Sequence, residues 1–560
     1  MTNFLSPLEF LYGAEKAPQL SERLQNLLAG YRDRIERRNV HLTEHDAILI
    51  TYGDQIQCPP EAPLRTLGVF CRKYLKGAVN GIHILPFYPW TSDDGFSVLD
   101  YRKVDPALGD WSDILAMQDE FLLMFDGVIN HISAQSEWFK SFLHDESNYR
   151  DYFLVVDGSP DLSQVIRPRV LPLLTAFSTP TGEKRVWTTF SDDQIDLNFQ
   201  NPEVLIEILD ILLMYVERGA TFIRLDAIAY LWKEIGTSCI HLPQTHRVVQ
   251  LIRAALDEIA PHVHLITETN VPHEDNISYF GDGYNEAQLV YNFALAPLTL
   301  HAFNTGNAGI LSAWANTLSL PSDRTTFFNF LASHDGIGLN PARGFLSIAE
   351  LDALIEKTIA HGGLISYKQN SDGTQSGYEM NINYFDALSD PKGDEPLELQ
   401  VDRFMAAQAI MLSLVGVPGI YFHSLFGSRG WMDGVGQTGR NRTINRQKFE
   451  IGSLVAELDD SQSLRARVYS RYRQLLSARR GSSAFHPHGA QVVKDLHPAV
   501  FAIERWSPDK ASRVLCLHNV STRPVQMRLP FDRGIELYTN KPLLGSNVSL
   551  KPYQVLWAKL

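Results

Sequence analysis

The most constraining feature of this chain is a set of short apolar runs, each ending on a carboxylate. Phe222-Ile-Arg-Leu-Asp-Ala-Ile228 delivers Arg224 and Asp226, which lie two residues apart and so share one face of a strand. Leu265-Ile-Thr-Glu-Thr269 carries Glu268, and Phe328-Asn-Phe-Leu-Ala-Ser-His-Asp335 ends on His334 and Asp335. Carboxylates at the carboxyl ends of three successive strand-like runs predict an α/β chain folded as a (β/α)8 TIM barrel with an acid-based active site. A guanidinium beside Asp226 favours its ionised form, which makes that carboxylate a candidate nucleophile.

Composition narrows the classes. A chain of 560 residues, 44% hydrophobic, can bury a large core and hold two or three domains. The net charge of −14 excludes a phosphate-backbone track, so no nucleic-acid partner is expected. Cys58, Cys71, Cys239 and Cys516 are scattered and read as reduced thiols of a cytoplasmic protein. The start, Met1-Thr-Asn-Phe-Leu-Ser6, lacks the charged and apolar regions of a signal peptide. No run reaches the roughly 18 apolar residues of a membrane span.

Residues 1–46 are expected to form a helical extension, because Leu20, Leu24, Leu27 and Leu28 recur at helical spacing. The barrel is expected over 47–131 and 196–480. Ala47–Gly53, Gly81–Pro86 and Leu122–Val128 read as its first strands, and 203–218 as a helix leading into the Asp226 strand. The segment 132–195 reads as an inserted loop subdomain. The segment 336–395 reads as a long irregular region with turns at Gly362-Gly363 and Asn370–Gly373. From 481 to 560, Val500–Ile503, Val514–Leu517 and Val525–Leu529 alternate with turns and predict a small antiparallel β domain.

Four segments in order, Asp126-Gly-Val-Ile-Asn-His131, Arg224-Leu-Asp226, Thr267-Glu-Thr-Asn270 and His334-Asp335, resemble the four sequence regions of the α-amylase family. Leu85-Pro-Phe-Tyr-Pro-Trp-Thr-Ser-Asp-Asp-Gly-Phe96, Arg167-Pro-Arg169, His334-Asp-Gly-Ile-Gly338 and Asn441-Arg-Thr-Ile-Asn-Arg446 are similar to the sucrose phosphorylase branch. The N-terminal extension is similar to relatives that act on glucosylglycerate or glucosylglycerol. The resemblance implies a retaining disaccharide phosphorylase working by double displacement. Asp226 would be the nucleophile, Glu268 the acid and base, and Asp335 the group that grips sugar hydroxyls. Arg224 would orient Asp226, and His131 and His334 would bind glucose. Asp93 and Arg442 would cap the far end of the glucosyl pocket, with Phe190 beside the sugar.

Arg169, with Arg167 as its neighbour, is the phosphate candidate. Tyr378, Glu379 and Arg343 are expected on the acceptor side. There the cues oppose each other: Arg343 suits a glycerate carboxylate, whereas Glu379 would repel it and suits neutral glycerol. The reading favours 2-O-α-glucosylglycerol as donor, giving α-glucose 1-phosphate and free glycerol. Glucosylglycerate and sucrose are the alternatives, followed by a hydrolase or transglucosidase and then a non-catalytic binding subunit. Asn130 matches a calcium-binding position of some amylases, but one Asn makes no cage, so neither metal nor cofactor is expected. A monomer or homodimer is expected.

Overall fold

The computed structural model describes residues 4–370 and 373–560. Eight parallel strands close into a barrel. They are β1 (Ile48–Thr51), β2 (Gly81–Ile84), β3 (Leu122–Gly127), β4 (Ala220–Leu225), β5 (His264–Thr267), β6 (Leu289–Tyr291), β7 (Thr326–Asn329) and β8 (Val417–Tyr421). Closure is made by β8 against β1, with Ile48 opposite Gly419. Helices cover the outside, so the strands are buried on both faces and read as continuous apolar runs.

One strand went unread. β6 lies between β5 and β7, so the three carboxylates follow the fourth, fifth and seventh strands rather than three successive ones. Three buried residues, Leu289-Val-Tyr291, are too short a run for periodicity to mark.

Two helices, α1 (Leu5–Tyr12) and α2 (Ala17–Tyr31), open the described chain and lie on two barrel helices, α3 (Pro202–Glu217) and α4 (Pro243–Ile259). Leu20, Leu24, Leu28 and Tyr31 form the buried stripe of α2. The helix α3 starts where Asn201 caps Glu203 N–H ahead of Pro202. It stops at Gly219, whose φ of 97° turns the chain directly into β4.

The segment 132–195 holds a helix, Glu137–Leu143, and a hairpin, Leu174–Thr179 with Gly182–Trp187. Its base is tied by His131–Ser133 pairing with Gln194–Asp196. The segment 336–395 is more regular than the sequence reading has it. It contains a three-stranded sheet of Ile337–Gly338, Gln375–Asn381 and Leu364–Gln369, and a helix Ile348–Ala360. The signal for that helix was present, because Ser347 and Glu350 form a capping box. Of the turn at Asn370–Gly373, Ser371 and Asp372 lie outside the described residues. The C-terminal region forms a six-stranded sheet over Ala490–Lys559, while Val525–Arg528 pairs separately with Asn547–Leu550. Among the described residues no helix is long and apolar enough to cross a membrane.

Candidate active site

Barrel hydrogen bonding continues past the strand ends and fixes two carboxylates. Asp226 N–H donates to Gly127 O at 3.1 Å, and Glu268 N–H donates to Leu225 O at 3.2 Å. Ala227, next to Asp226, has a φ of 49°, and its N–H donates to Glu268 Oε2 at 3.0 Å. Asp93 and Asp94 are also left-handed, with φ of 54° and 50°. Two of these left-handed residues, Asp93 and Ala227, line one pocket, where strain of this kind marks functional sites.

Arg224 organises the floor of that pocket. It is buried and donates to Asp226 Oδ1 at 2.9 Å, approaches Glu268 Oε2 at 3.7 Å, and pairs closely with Asp126. His83 Nε2 meets Asp126 Oδ2 at 2.6 Å behind it. Burial raises the pKa of Asp226 well above the ordinary carboxylate range, Arg224 opposes that shift, and the Glu268 charge adds to it. Burial raises Glu268 as well. The expectation that Arg224 alone holds Asp226 ionised is therefore too simple: the two carboxyls titrate as a pair.

Burial would also raise Asp335, but Arg442, His334, Arg446 and Arg224 outweigh it and hold that carboxyl well below the usual range. Burial lowers His131 to about 4 and His334 to about 3, so both rings are neutral at pH 7. His131 lines the pocket with Nε2 at 2.9 Å from Phe96 O and 3.2 Å from Gln194 Nε2. The His334 ring stacks on Phe96 with centroids 4.7 Å apart.

Asp226, Glu268, Asp335, His131, His334, Asp93, Phe190, Arg169, Tyr378, Glu379 and Arg442 all line one pocket. Three sequence candidates do not: Arg224 is buried behind Asp226, and the other two are loop arginines. Arg167 turns to Leu171 O, and Arg343 donates to Asn340 Oδ1 at 3.2 Å; neither is part of the described lining. Asp93 and Arg442 both line the pocket without pairing with each other. Asp93 meets Arg169 at 3.4 Å and Arg446 at 3.8 Å. Arg442 instead binds Asp335 at 2.5 Å and Glu379 at 2.7 Å. The motif Asn441–Arg446 contains two arginines, and both act on Asp93: Arg446 at 3.8 Å, and Arg442 through a charge that helps hold that carboxyl below its ordinary range.

Sequence reading also missed Tyr230, Asn270 and Gln194, which line the pocket, and Arg446. Arg446 and Asn270 carried a readable signal, the first as the second arginine of its motif and the other as the last residue of Thr267-Glu-Thr-Asn270. Asn130 is engaged by a buried lysine: Lys233 Nζ donates to Asn130 Oδ1 at 2.9 Å and pairs with Asp196 at 2.6 Å. Among the described residues no group of His, Cys, Asp and Glu is arranged to hold a metal ion.

A nucleophile-type carboxyl beside an acid-type carboxyl, both backed by one guanidinium, suits substitution at a sugar carbon. Residues 72–336 match the family model described as alpha amylase, catalytic domain. The chain is 52% identical over 521 residues to a glucosylglycerate phosphorylase of Spirochaeta thermophila, covering 92% of this chain and 88% of that one. It is 29% identical over 461 residues to a glucosylglycerol phosphorylase of Marinobacter adhaerens, covering 79% and 90%. The crystal structure of sucrose 6F-phosphate phosphorylase from Thermoanaerobacter thermosaccharolyticum matches with a TM-score of 0.74 at 24% identity, covering 86% of this chain and 95% of that one.

Proposed function

The chain belongs to the α-amylase family, as an enzyme whose curated relatives are phosphorylases, and from that premise we propose a retaining glucosylglycerate phosphorylase. The observation that carries the acceptor choice is the state of Glu379. The sequence preference for glucosylglycerol rested on Glu379 repelling a carboxylate. Glu379 is buried and accepts Arg442 Nε at 3.0 Å and Nη2 at 2.7 Å, so its charge is already matched. With that repulsion answered, the higher identity to a glucosylglycerate phosphorylase than to a glucosylglycerol phosphorylase supports the glucosylglycerate reading.

In the first displacement Asp226 attacks the anomeric carbon and the bond to the glycerate oxygen breaks. Glu268 gives that oxygen its proton, leaving a β-glucosyl ester on Asp226. The shared proton belongs on Glu268 before reaction because Arg224 donates to Asp226 at 2.9 Å and stands 3.7 Å from Glu268. In the second displacement a phosphate oxygen attacks the same carbon, Glu268 takes its proton, and the ester bond breaks. Asp226 is regenerated and α-glucose 1-phosphate leaves. Esterification moves the pair's single negative charge from Asp226 to Glu268, where it can take the phosphate proton, and Arg169 at the rim adds a fixed positive charge for the incoming anion.

The test is phosphate release from α-glucose 1-phosphate with D-glycerate, glycerol or fructose as acceptor. Release that depends on D-glycerate is expected. Release with glycerol alone would restore the glucosylglycerol reading. Glucose formation without acceptor preference would mark a hydrolase.

A further inference from the structure

The catalytic pocket opens beside a second cavity of about 630 Å³ lined by Pro168–Leu171, Tyr367 and Gly439–Arg442. Six residues line both spaces: Asp93, Arg169, Gln194, Tyr378, Glu379 and Arg442. The neck between them therefore carries two guanidiniums, each tied to its own carboxylate. Arg169 stands 3.4 Å from Asp93, and Arg442 is gripped on two nitrogens by Glu379.

The two pairs differ in build. Arg169 is one-third exposed and held loosely. Glu379 lies on a strand of the three-stranded sheet and is 1% exposed. Gly336, in the His334-Asp-Gly336 turn, makes room for it: a Cβ at 336 would stand 2.5 Å from Glu379 Cγ and 2.7 Å from Met380 O. The loop that carries Asp335 is thus shaped around Glu379. Because Glu379 takes Nε and Nη2 of Arg442, the remaining terminal nitrogen, Nη1, faces the pocket. In this structure it contacts Asp335 Oδ1 at 2.5 Å. The charge of Arg442 also reaches Glu268.

We propose that Glu379 is a positioning residue that fixes Arg442 at this neck, and that Arg442 Nη1 is the donor that reads the negative charge of the reaction partner. The assignment rests on the phosphorylase reading above. Both partners of a glucosylglycerate phosphorylase, glycerate and phosphate, are anions, and a single pre-oriented guanidinium suits either one. When a glucosyl unit takes up Asp335, Nη1 loses that contact and turns to the incoming anion. Glu379 supplies the counter-charge that keeps Arg442 from following Asp335, and a two-point grip costs less ordering than a free side chain would on binding.

The variants Glu379→Gln, Glu379→Asp and Arg442→Lys separate this role from a structural one. In Glu379→Gln, the KM for D-glycerate and for phosphate should rise at least tenfold, with a smaller fall in kcat. Hydrolysis of α-glucosyl fluoride, which needs no anionic acceptor, should fall by a smaller factor than phosphorolysis. Glu379→Asp should recover part of the lost KM, because it keeps the charge. Arg442→Lys keeps the charge without the two-point geometry and should raise both KM values even if Glu379→Gln fails to fold. A uniform fall in kcat for every acceptor and for the fluoride, at unchanged KM, would overturn the assignment. Wild-type enzyme that ignores D-glycerate would instead overturn the functional reading, and the phosphate KM would still test Arg442.

Discussion

Arginine–carboxylate pairs hold two regions of this molecule, with nearly the same bond lengths and different consequences. On α1 and α2 and the residues just beyond them, Arg23 meets Glu203 at 2.6 Å and Arg34 meets Glu217 at 2.6 Å, with the arginines 39% and 52% exposed. At the top of the barrel, Arg224 meets Asp226 at 2.9 Å and Arg442 meets Glu379 at 2.7 Å, with Arg224 2% exposed. Water screens the first set strongly and the second less, since Arg442 is 23% exposed and its partner Glu379 is buried. The N-terminal helices are therefore held by apolar burial, with ion pairs setting their register. The barrel top is held as an electrostatic unit in which each charge sets the protonation of its neighbours.

The largest effect should come from Asp226→Asn. Phosphorolysis is expected to fall by on the order of 10⁴ or more, because in the proposed mechanism Asp226 forms the ester. Activity within tenfold of wild type would remove Asp226 from its role and break the contrast at its centre.

Next in size is Leu24→Ala, in the buried stripe of α2. It should cost about 2–5 kcal/mol in denaturant unfolding. A loss no larger than that of an ion-pair variant would show that charge, not packing, docks these helices.

Acid probes the buried region. An unfolded chain protonates histidine near 6.5, whereas folded His131 and His334 resist until about 4 and about 3. The unfolded state binds more protons in that window, so stability falls as pH drops from 6.5 toward 4. The raised carboxyls of Asp226 and Glu268 act in the opposite sense. Thermal melts at pH 7 and 4.5 should show the histidine effect winning, and a flat profile would mean these rings are less buried than the structure has them.

The smallest effect belongs to Arg34→Ala, expected below about 1 kcal/mol and weaker still in 0.5 M salt. Melts of this variant in low and high salt measure it directly.

Much of the candidate site was legible because chemistry and local structure coincide there. Asp226 and Glu268 sit where apolar runs stop, and Asp335 sits on the loop that follows another, so their positions could be read without knowing the barrel's closure. The helix Ile348–Ala360 was legible too, through Ser347 and Glu350, although its setting between turns hid it. The strand Leu289–Tyr291 was not legible, because three residues carry no period. Arg343 and Arg167 were named for charge alone, and charge does not say which way a loop side chain turns.

The amino-acid sequence by itself determined the barrel class, the chain order of its carboxylates and the β character of the C-terminal region. Those depend on local runs of apolar and turn-forming residues, which any reading of the chain can follow. Only the tertiary structure decided which guanidinium serves which carboxylate. Arg446 comes within 3.8 Å of Asp93 while the charge of Arg442 also acts on it, Arg442 bridges Asp335 and Glu379, and Lys233 serves Asn130 and Asp196. Most of these pairings join residues far apart in the chain. They exist only once the barrel has closed and water has left, when a buried charge must find whichever partner the fold has placed within reach.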